Sequence, residues 1–558
     1  MANKIFDFHF HLLFKHYISN NPDVTVAVRT NGVAKILNDI MGGPFDSQAS
    51  PSLVKDSQLF LGVTAIISLE HAFANRVLNI LGKDFSGILP LDQVLFQQTR
   101  DGLIDYFSAF NKHLKFYLDQ QVILSAAPYH INYTGRQDWQ GKTAATIAAA
   151  LLAEQEKRYL VFSIEGGHNL SDVPIHGTAM SRTPELNLQQ LQDRKDVDFL
   201  SINLCHLSYI PEQPLGGFAQ GLNKVAQVAF SSEDFMPKTG LGITALGKKV
   251  VKQALTHPDK PILIDVKHMS AYTRADFYNY REQLINDTPT IARLPIISSH
   301  TGFTFNTLGE YLNKKEFRAT TSVENGIAVC LVEPENKEIG RTNDRINRGL
   351  YSNPWSINLF DEDIVEIMTS KGMIGISLDQ RILGADKIID SSRTQYFEGE
   401  YIAKEEWETM FRDGLLPGKE GLFDFLKNIA PSRAERHIML LCMHIVYAVR
   451  VGYQNLAWEA GTSPWNHICI GSDFDGLINP INRLDNIALL SNLRDGLKQY
   501  IPIADKYLSS DNAAIDSVRA LHYNADGTFD GQYLDRMIDR FVYLNGVDFT
   551  ARFLSNWH

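Results

Sequence analysis

The sequence predicts an α/β fold, a (β/α)8 TIM barrel with long helical insertions. Three observations carry this expectation. Short apolar runs recur along the chain, helical patterns fall between them, and the runs end in residues that bind metals or move protons. Near-continuous apolar runs without alternation are the mark of parallel strands covered on both faces. Their alternation with helical segments argues for a parallel sheet. Barrel enzymes carry their chemistry at the C-terminal ends of such strands.

The predicted strands are 5–11, 61–69, 121–126, 158–165, 199–205, 261–268, 294–300, 373–378 and 467–473. That is one more than a barrel of eight needs. The run 121–126 is left outside, because it alone ends without a promising polar residue. Helical patterns are read at 143–157, 184–193, 244–256, 274–286, 361–371 and 434–453, with a closing helix over about 531–557. The connections near 12–60, 70–120, 303–360 and 379–433 exceed ordinary loop lengths and are expected to hold helices of their own. The whole span 1–558 is read as one hydrolase domain with these insertions. A doubly wound open sheet is the alternative, but the Gly216-Gly217 pair lacks the GxGxxG frame of a phosphate loop.

Composition narrows the function. The chain has 558 residues, 44% hydrophobic and 21% charged, as an ordinary globular enzyme does. A net charge of -11 argues against a nucleic-acid partner, since phosphate binding needs a basic surface. There is no run of ~18 apolar residues to suggest a membrane span. Met1-Ala2-Asn3-Lys4 leads straight into the first strand without a secretion signal, so a cytoplasmic location is expected. Cys205, Cys330, Cys442 and Cys469 lack CxxC spacing and are read as reduced thiols.

The first strand, Ile5-Phe6-Asp7-Phe8-His9-Phe10-His11, holds the clearest signal. Residues two apart in a strand share a face about 6.5–7 Å apart. His9 and His11 therefore converge while Phe6, Phe8 and Phe10 face away. Later strand ends add Glu165, His206, His268, His300 and Asp473. Imidazoles with a carboxylate suit Zn²⁺ or a similar divalent ion with one position left open for water. Glu165, with two oxygens, can bridge a second ion that His268 and His300 complete. Two such ions, ~3.5–4 Å apart, hold a hydroxide and polarise a carbonyl or phosphoryl oxygen. Asp473 then orients the water, accepts its proton and delivers it to the leaving group.

Six blocks resemble the renal (membrane) dipeptidase family, zinc peptidases of the amidohydrolase superfamily. They are Asp7–His11, Ser163-Ile164-Glu165-Gly166-Gly167-His168, Leu204-Cys205-His206, Ile264–His268, Pro295–His300 and Ile470-Gly471-Ser472-Asp473-Phe474-Asp475-Gly476, in the family's order. Gly546–Trp557 also resembles the family's closing helix. The resemblance implies a barrel with two zinc ions that hydrolyses short peptides. By position it implies His9, His11 and Glu165 on one ion, and Glu165, His268 and His300 on the other. It further implies His206 at the substrate carbonyl, and Asp473 as acid/base meeting the substrate amine. The family usually has Asp where this chain has His11, which leaves the site one negative charge short. Its carboxylate-binding arginine has no clean match here; Arg341, Arg345 and Arg348 are the candidates.

Other residues receive blander readings. His168 is read as a structural hydrogen-bonding residue, and Asp7 and Asp265 as groups orienting imidazoles or as polar packing. Lys267 is read as packed or solvated, Asp475 as shaping a turn, and His437 and His444 as core. The arginine-rich Gly340–Ser352 segment is read as a solvated loop, with a lid or a subunit contact, and hence a homo-oligomer, left open. The functional expectation is a dinuclear metal-dependent hydrolase cleaving dipeptides through a metal-bound hydroxide. The alternatives are a metalloenzyme acting on a lactone, cyclic amide or phosphoester, and a non-catalytic scaffold.

Overall fold

A computed structural model describes residues 4–557 apart from 33–34, 36–37, 39–42, 82–88, 173–181, 211–212, 221–231, 238–241, 309–316, 325–326, 335–352, 354, 385–399, 411–432, 511–518 and 525–527. The strands are β1 (Ile5–Phe10), β2 (Leu59–Ile66), β3 (Ile131–Tyr133), β4 (Arg158–Ile164), β5 (Phe199–Asn203), β6 (Leu263–Asp265), β7 (Ile297–Thr301), β8 (Phe317–Glu324), β9 (Ile327–Pro334), β10 (Met373–Ile376), β11 (Glu400–Ala403) and β12 (Ile468–Ile470). The barrel runs β1-β2-β4-β5-β6-β7-β10-β12, parallel at every pairing. It closes just beyond the strands proper, where Phe10 bridges Phe474 in parallel and the His11 N–H donates to the Phe474 carbonyl at 2.8 Å. All eight runs assigned to the barrel form its strands.

Closure is reinforced from inside. Asp7 accepts from the Ser472 N–H at 2.9 Å and from its hydroxyl at 2.5 Å. Asp265 likewise accepts from the N–H of Lys267 (3.0 Å) and of Ser299 (3.1 Å), tying β6 to β7. Both aspartates thus bond backbone and serine rather than imidazole. The opposite face of β1 is apolar: Phe6, Phe8 and Phe10 are fully buried. Phe8 meets Phe549 edge-on at 5.4 Å. At Gly546 a Cβ would lie 2.0 Å from Phe6 Cγ, so glycine is what lets the closing helix Asn545–Leu554 seat on β1.

Two expectations are corrected. The run 121–126 is not a strand but a short helix, Gln121–Ser125. Only Leu124 is buried, while Val122 and Ile123 face out, and an apolar run this short fits either element. The extra strand is instead β3, which pairs with the start of β4. The insertions are also not purely helical. Within 303–360 lies the antiparallel pair β8–β9, and β11 from the next insertion adds to β9. The physical reason lies in the sequence: each run holds three β-branched residues, and Asn325-Gly326 separates them. Elsewhere the helices stand where expected, including Phe14–Ile18, His71–Leu81, Gln93–Arg100 and Tyr106–Asp119 in the first two insertions. Among the described residues no helix is long and apolar enough to cross a membrane. Gly340–Ser352, with Arg341, Arg345 and Arg348, lies outside the described residues.

Candidate metal centre

Every strand-end residue singled out from sequence converges on one place, the C-terminal mouth of the barrel. Glu165 is its hub. Its Oε1 lies 3.4 Å from His9 Nε2 and 3.6 Å from the Nε2 atoms of His206, His268 and His300. Its Oε2 lies 3.0 Å from His11 Nε2. Asp473 Oδ1 stands 3.9 Å from His9 Nε2 and 3.7 Å from His11 Nε2.

Local backbone explains how each arrives. Glu165 extends the β4 ladder by donating its N–H to the Ile66 carbonyl at 3.0 Å. The chain then turns sharply at Gly166, whose φ of +92° disfavours any side chain, and a Cβ there would strike the His168 ring at 2.4 Å. His268 and Asp473 take left-handed backbone, φ 70° and 64°, which costs non-glycine residues ~1–3 kcal/mol and concentrates at functional sites. The Asp473 N–H donates to the His9 carbonyl at 2.8 Å, so barrel closure itself sets this carboxylate. Asn169 locks the turn by accepting from the Ser68 N–H and hydroxyl, both at 2.6 Å, and donating to the Gly166 carbonyl at 2.7 Å.

Neighbouring groups behave as their blander readings expect. His168 pairs with the Ser68 carbonyl at 3.1 Å. Asp475 accepts from the N–H groups of Gln48 and Ala49 at 2.7 and 3.1 Å, pinning the first insertion to the final turn. Lys267 is buried and donates to the Ile357 carbonyl at 3.4 Å. His437 and His444 are core residues that accept from the N–H groups of Asn482 and Phe303.

One residue bonded to this cluster escaped the sequence reading. Glu70 follows β2 and is buried, with its Oε1 2.5 Å from His206 Nδ1. The signal was available, since Glu70 sits one position past the run 61–69, where strand-end chemistry belongs.

The electrostatics divide the histidines. Burial pushes His268 down to about 3 and His300 well below its usual value, with His9 and Lys267 adding to the fall for His300. Burial opposes charge on His11 and His206 too, but Glu165 holds His11 at about 9, and Glu70 with Glu165 holds His206 at about 10. Burial raises Glu165, yet His9 and His11 outweigh it and leave the carboxyl well below its ordinary range. Asp473 is raised, chiefly by burial.

The donor chemistry fits divalent cations. His9 Nε2, both ring nitrogens of His11 and His268 Nδ1 are buried with no aligned hydrogen bond among the described residues. Leaving such atoms unsatisfied costs ~1–3 kcal/mol each. Among the described residues two groups offer donor atoms mutually within 4.8 Å: His9, Glu165, His300 and Asp473, and Glu165, His206 and His268. Glu165 belongs to both.

No family model matches the sequence, and no curated protein matches it. Similar solved structures include the metallopeptidase dipeptidase AC, at 13% identity and a TM-score of 0.40, covering 97% of this chain and 99% of that one. A metallopeptidase from Rhodobacter sphaeroides, liganded with a phosphinate mimic of L-Ala-D-Ala, is 14% identical with a TM-score of 0.40 and the same coverage. The probable dipeptidase PvdM from Pseudomonas aeruginosa is 13% identical with a TM-score of 0.41, covering 97% of this chain and 96% of that one. Likeness at this level carries no argument about activity, which has to come from the site itself.

Proposed function

We propose that this chain is a dinuclear metal-dependent hydrolase that cleaves the amide bond of dipeptides, its span 1–558 forming one hydrolase domain. The observation that carries the reading is Glu165 set among the Nε2 atoms of His9, His11, His206, His268 and His300, within 3.0–3.6 Å of each. A carboxylate so surrounded, at the mouth of a parallel barrel, is what a bridged pair of divalent ions requires. The dipeptide substrate rests on the six sequence blocks that resemble the renal dipeptidase family.

In this reading His9, His11 and Glu165 hold one ion, and Glu165, His268 and His300 the other. Bound zinc would supply a Lewis acid and lower the pKa of water into the neutral range. The remaining work falls to the chain. Asp473, beside His9 and His11 and with 14% of its side chain exposed, takes the proton of the attacking water and returns it to the leaving nitrogen. Burial raises its pKa, which makes it a better acceptor for the proton of the attacking water. The surrounding imidazoles are largely buried, which strengthens the charge interactions among them. His11 in place of the family's Asp favours a second reading, in which the same centre acts on a lactone, cyclic amide or phosphoester.

The full chain loaded with Zn²⁺ is expected to hydrolyse at least one member of a panel of L,L- and L,D-dipeptides, followed by release of free amine. Silence across the panel with metal bound, alongside turnover of a lactone or phosphoester, would move the assignment to the second reading.

A further inference from the structure

The resemblance puts His206 at a substrate carbonyl, but it gives no reason for Glu70. Exposure separates the groups around Glu165 into two kinds. His9, His11, His268 and His300 keep 1%, 1%, 6% and 2% of their side chains exposed, whereas His206 and Asp473 each keep 14%. The buried four are the imidazoles assigned to the ions, and the Nε2 atoms of His268 and His300 stand 3.2 Å apart. His206 and Asp473 form the open side of the cluster, where a substrate arrives.

An imidazole on an open side samples several rotamers unless something holds it. Glu70 holds this one. Its Oε1 sits 2.5 Å from His206 Nδ1, and a carboxylate accepts, so Nδ1 carries the hydrogen. Nε2 is thereby turned toward the centre, 3.6 Å from Glu165 Oε1. Glu70 is itself 5% exposed and fixed in the backbone. Its carbonyl accepts the Ala74 N–H at 3.0 Å where the helix His71–Leu81 begins, and the His71 N–H donates to the Tyr106 hydroxyl at 3.0 Å. A carboxylate on one ring nitrogen orients the other and favours charge on the ring as a reacting oxygen turns negative.

We propose that Glu70 is a positioning residue, locking the His206 ring so that Nε2 meets the scissile carbonyl oxygen of a bound dipeptide. The proposal rests on the dipeptidase reading above and leaves both ion positions unchanged. Glu70 reaches His206 across β4, from the end of β2 to the end of β5, so a merely structural pair would also join those two loops. Such a pair would act on folding or metal content, not on the chemical step through His206.

The test is steady-state turnover by the zinc-loaded full chain on a dipeptide that wild type cleaves, with metal content and circular dichroism measured beside it. The variants are Glu70→Ala, Glu70→Asp, Glu70→Gln, His206→Asn and the pair Glu70→Ala with His206→Asn. Glu70→Ala is expected to keep its zinc and its KM while kcat falls ~100-fold, the scale of a misplaced catalytic contact. Glu70→Asp falls one methylene short of Nδ1 and is expected to lose kcat as well, which covers the case where the alanine variant fails to fold. Glu70→Gln still partners Nδ1 and is expected to recover most of kcat. His206→Asn is expected to lose ~10²–10³-fold, and adding Glu70→Ala to it to cost little more. Unchanged kcat in Glu70→Ala or Glu70→Asp would overturn the proposal and leave the dipeptidase reading standing. So would loss of zinc in step with activity, or an equal loss whether or not His206 is present. A wild-type chain that holds zinc and cleaves no dipeptide would overturn both.

Discussion

Glu165→Gln is expected to weaken zinc binding at both ion positions by more than ~100-fold, beyond the range seen for outer partners, and to stop turnover. The amide nearly matches the carboxylate in shape, so packing between β2 and β5 should survive. What disappears is the negative charge shared by His9, His11, His206, His268 and His300. No other residue belongs to both donor groups. Without it the first insertion, the Gly166 turn and the barrel closure still bring imidazoles together, but with less compensating charge for a divalent cation. Elemental analysis after dialysis against zinc checks this directly. Two ions retained by the variant would show that Glu165 is not the bridge.

Asp473→Asn is expected to behave differently, keeping its metal while kcat falls by ~10²–10⁴-fold. Asparagine is well suited to the left-handed backbone at this position, φ 64°, so the turn should not change. It also retains a side-chain oxygen near His9 and His11. It has no carboxylate to take up a proton, so only the transfer step is removed. Turnover on a dipeptide that wild type cleaves, measured beside metal content, separates the outcomes. Unchanged kcat would remove Asp473 from proton transfer. Loss of metal together with activity would place it among the ligands, as its grouping with His9, Glu165 and His300 allows.

Much of this site is legible in the sequence because a parallel barrel turns strand ends into a single locus. His9, His11, Glu165, His206, His268, His300 and Asp473 are spread over most of the chain, yet each ends an apolar run, and the fold gathers these ends. Glu70 obeys the same rule and was overlooked only because the reading of its run stopped at Leu69. The bond between Asp7 and Ser472, which closes the barrel across 465 positions, could not be read in advance. An aspartate beside a histidine looks alike whether it orients the ring or staples strands. The antiparallel pair β8–β9 is not legible from loop length, which says nothing of helix or strand; the local signal is the Asn-Gly step at 325–326 between two runs that each hold three β-branched residues. The run 121–126 misled because three apolar residues have no period.

The most direct measurement is the metal content of the purified full chain, by elemental mass spectrometry after zinc loading and removal of free ion. The account predicts two divalent ions per chain. A chain that is folded and still binds none would contradict it.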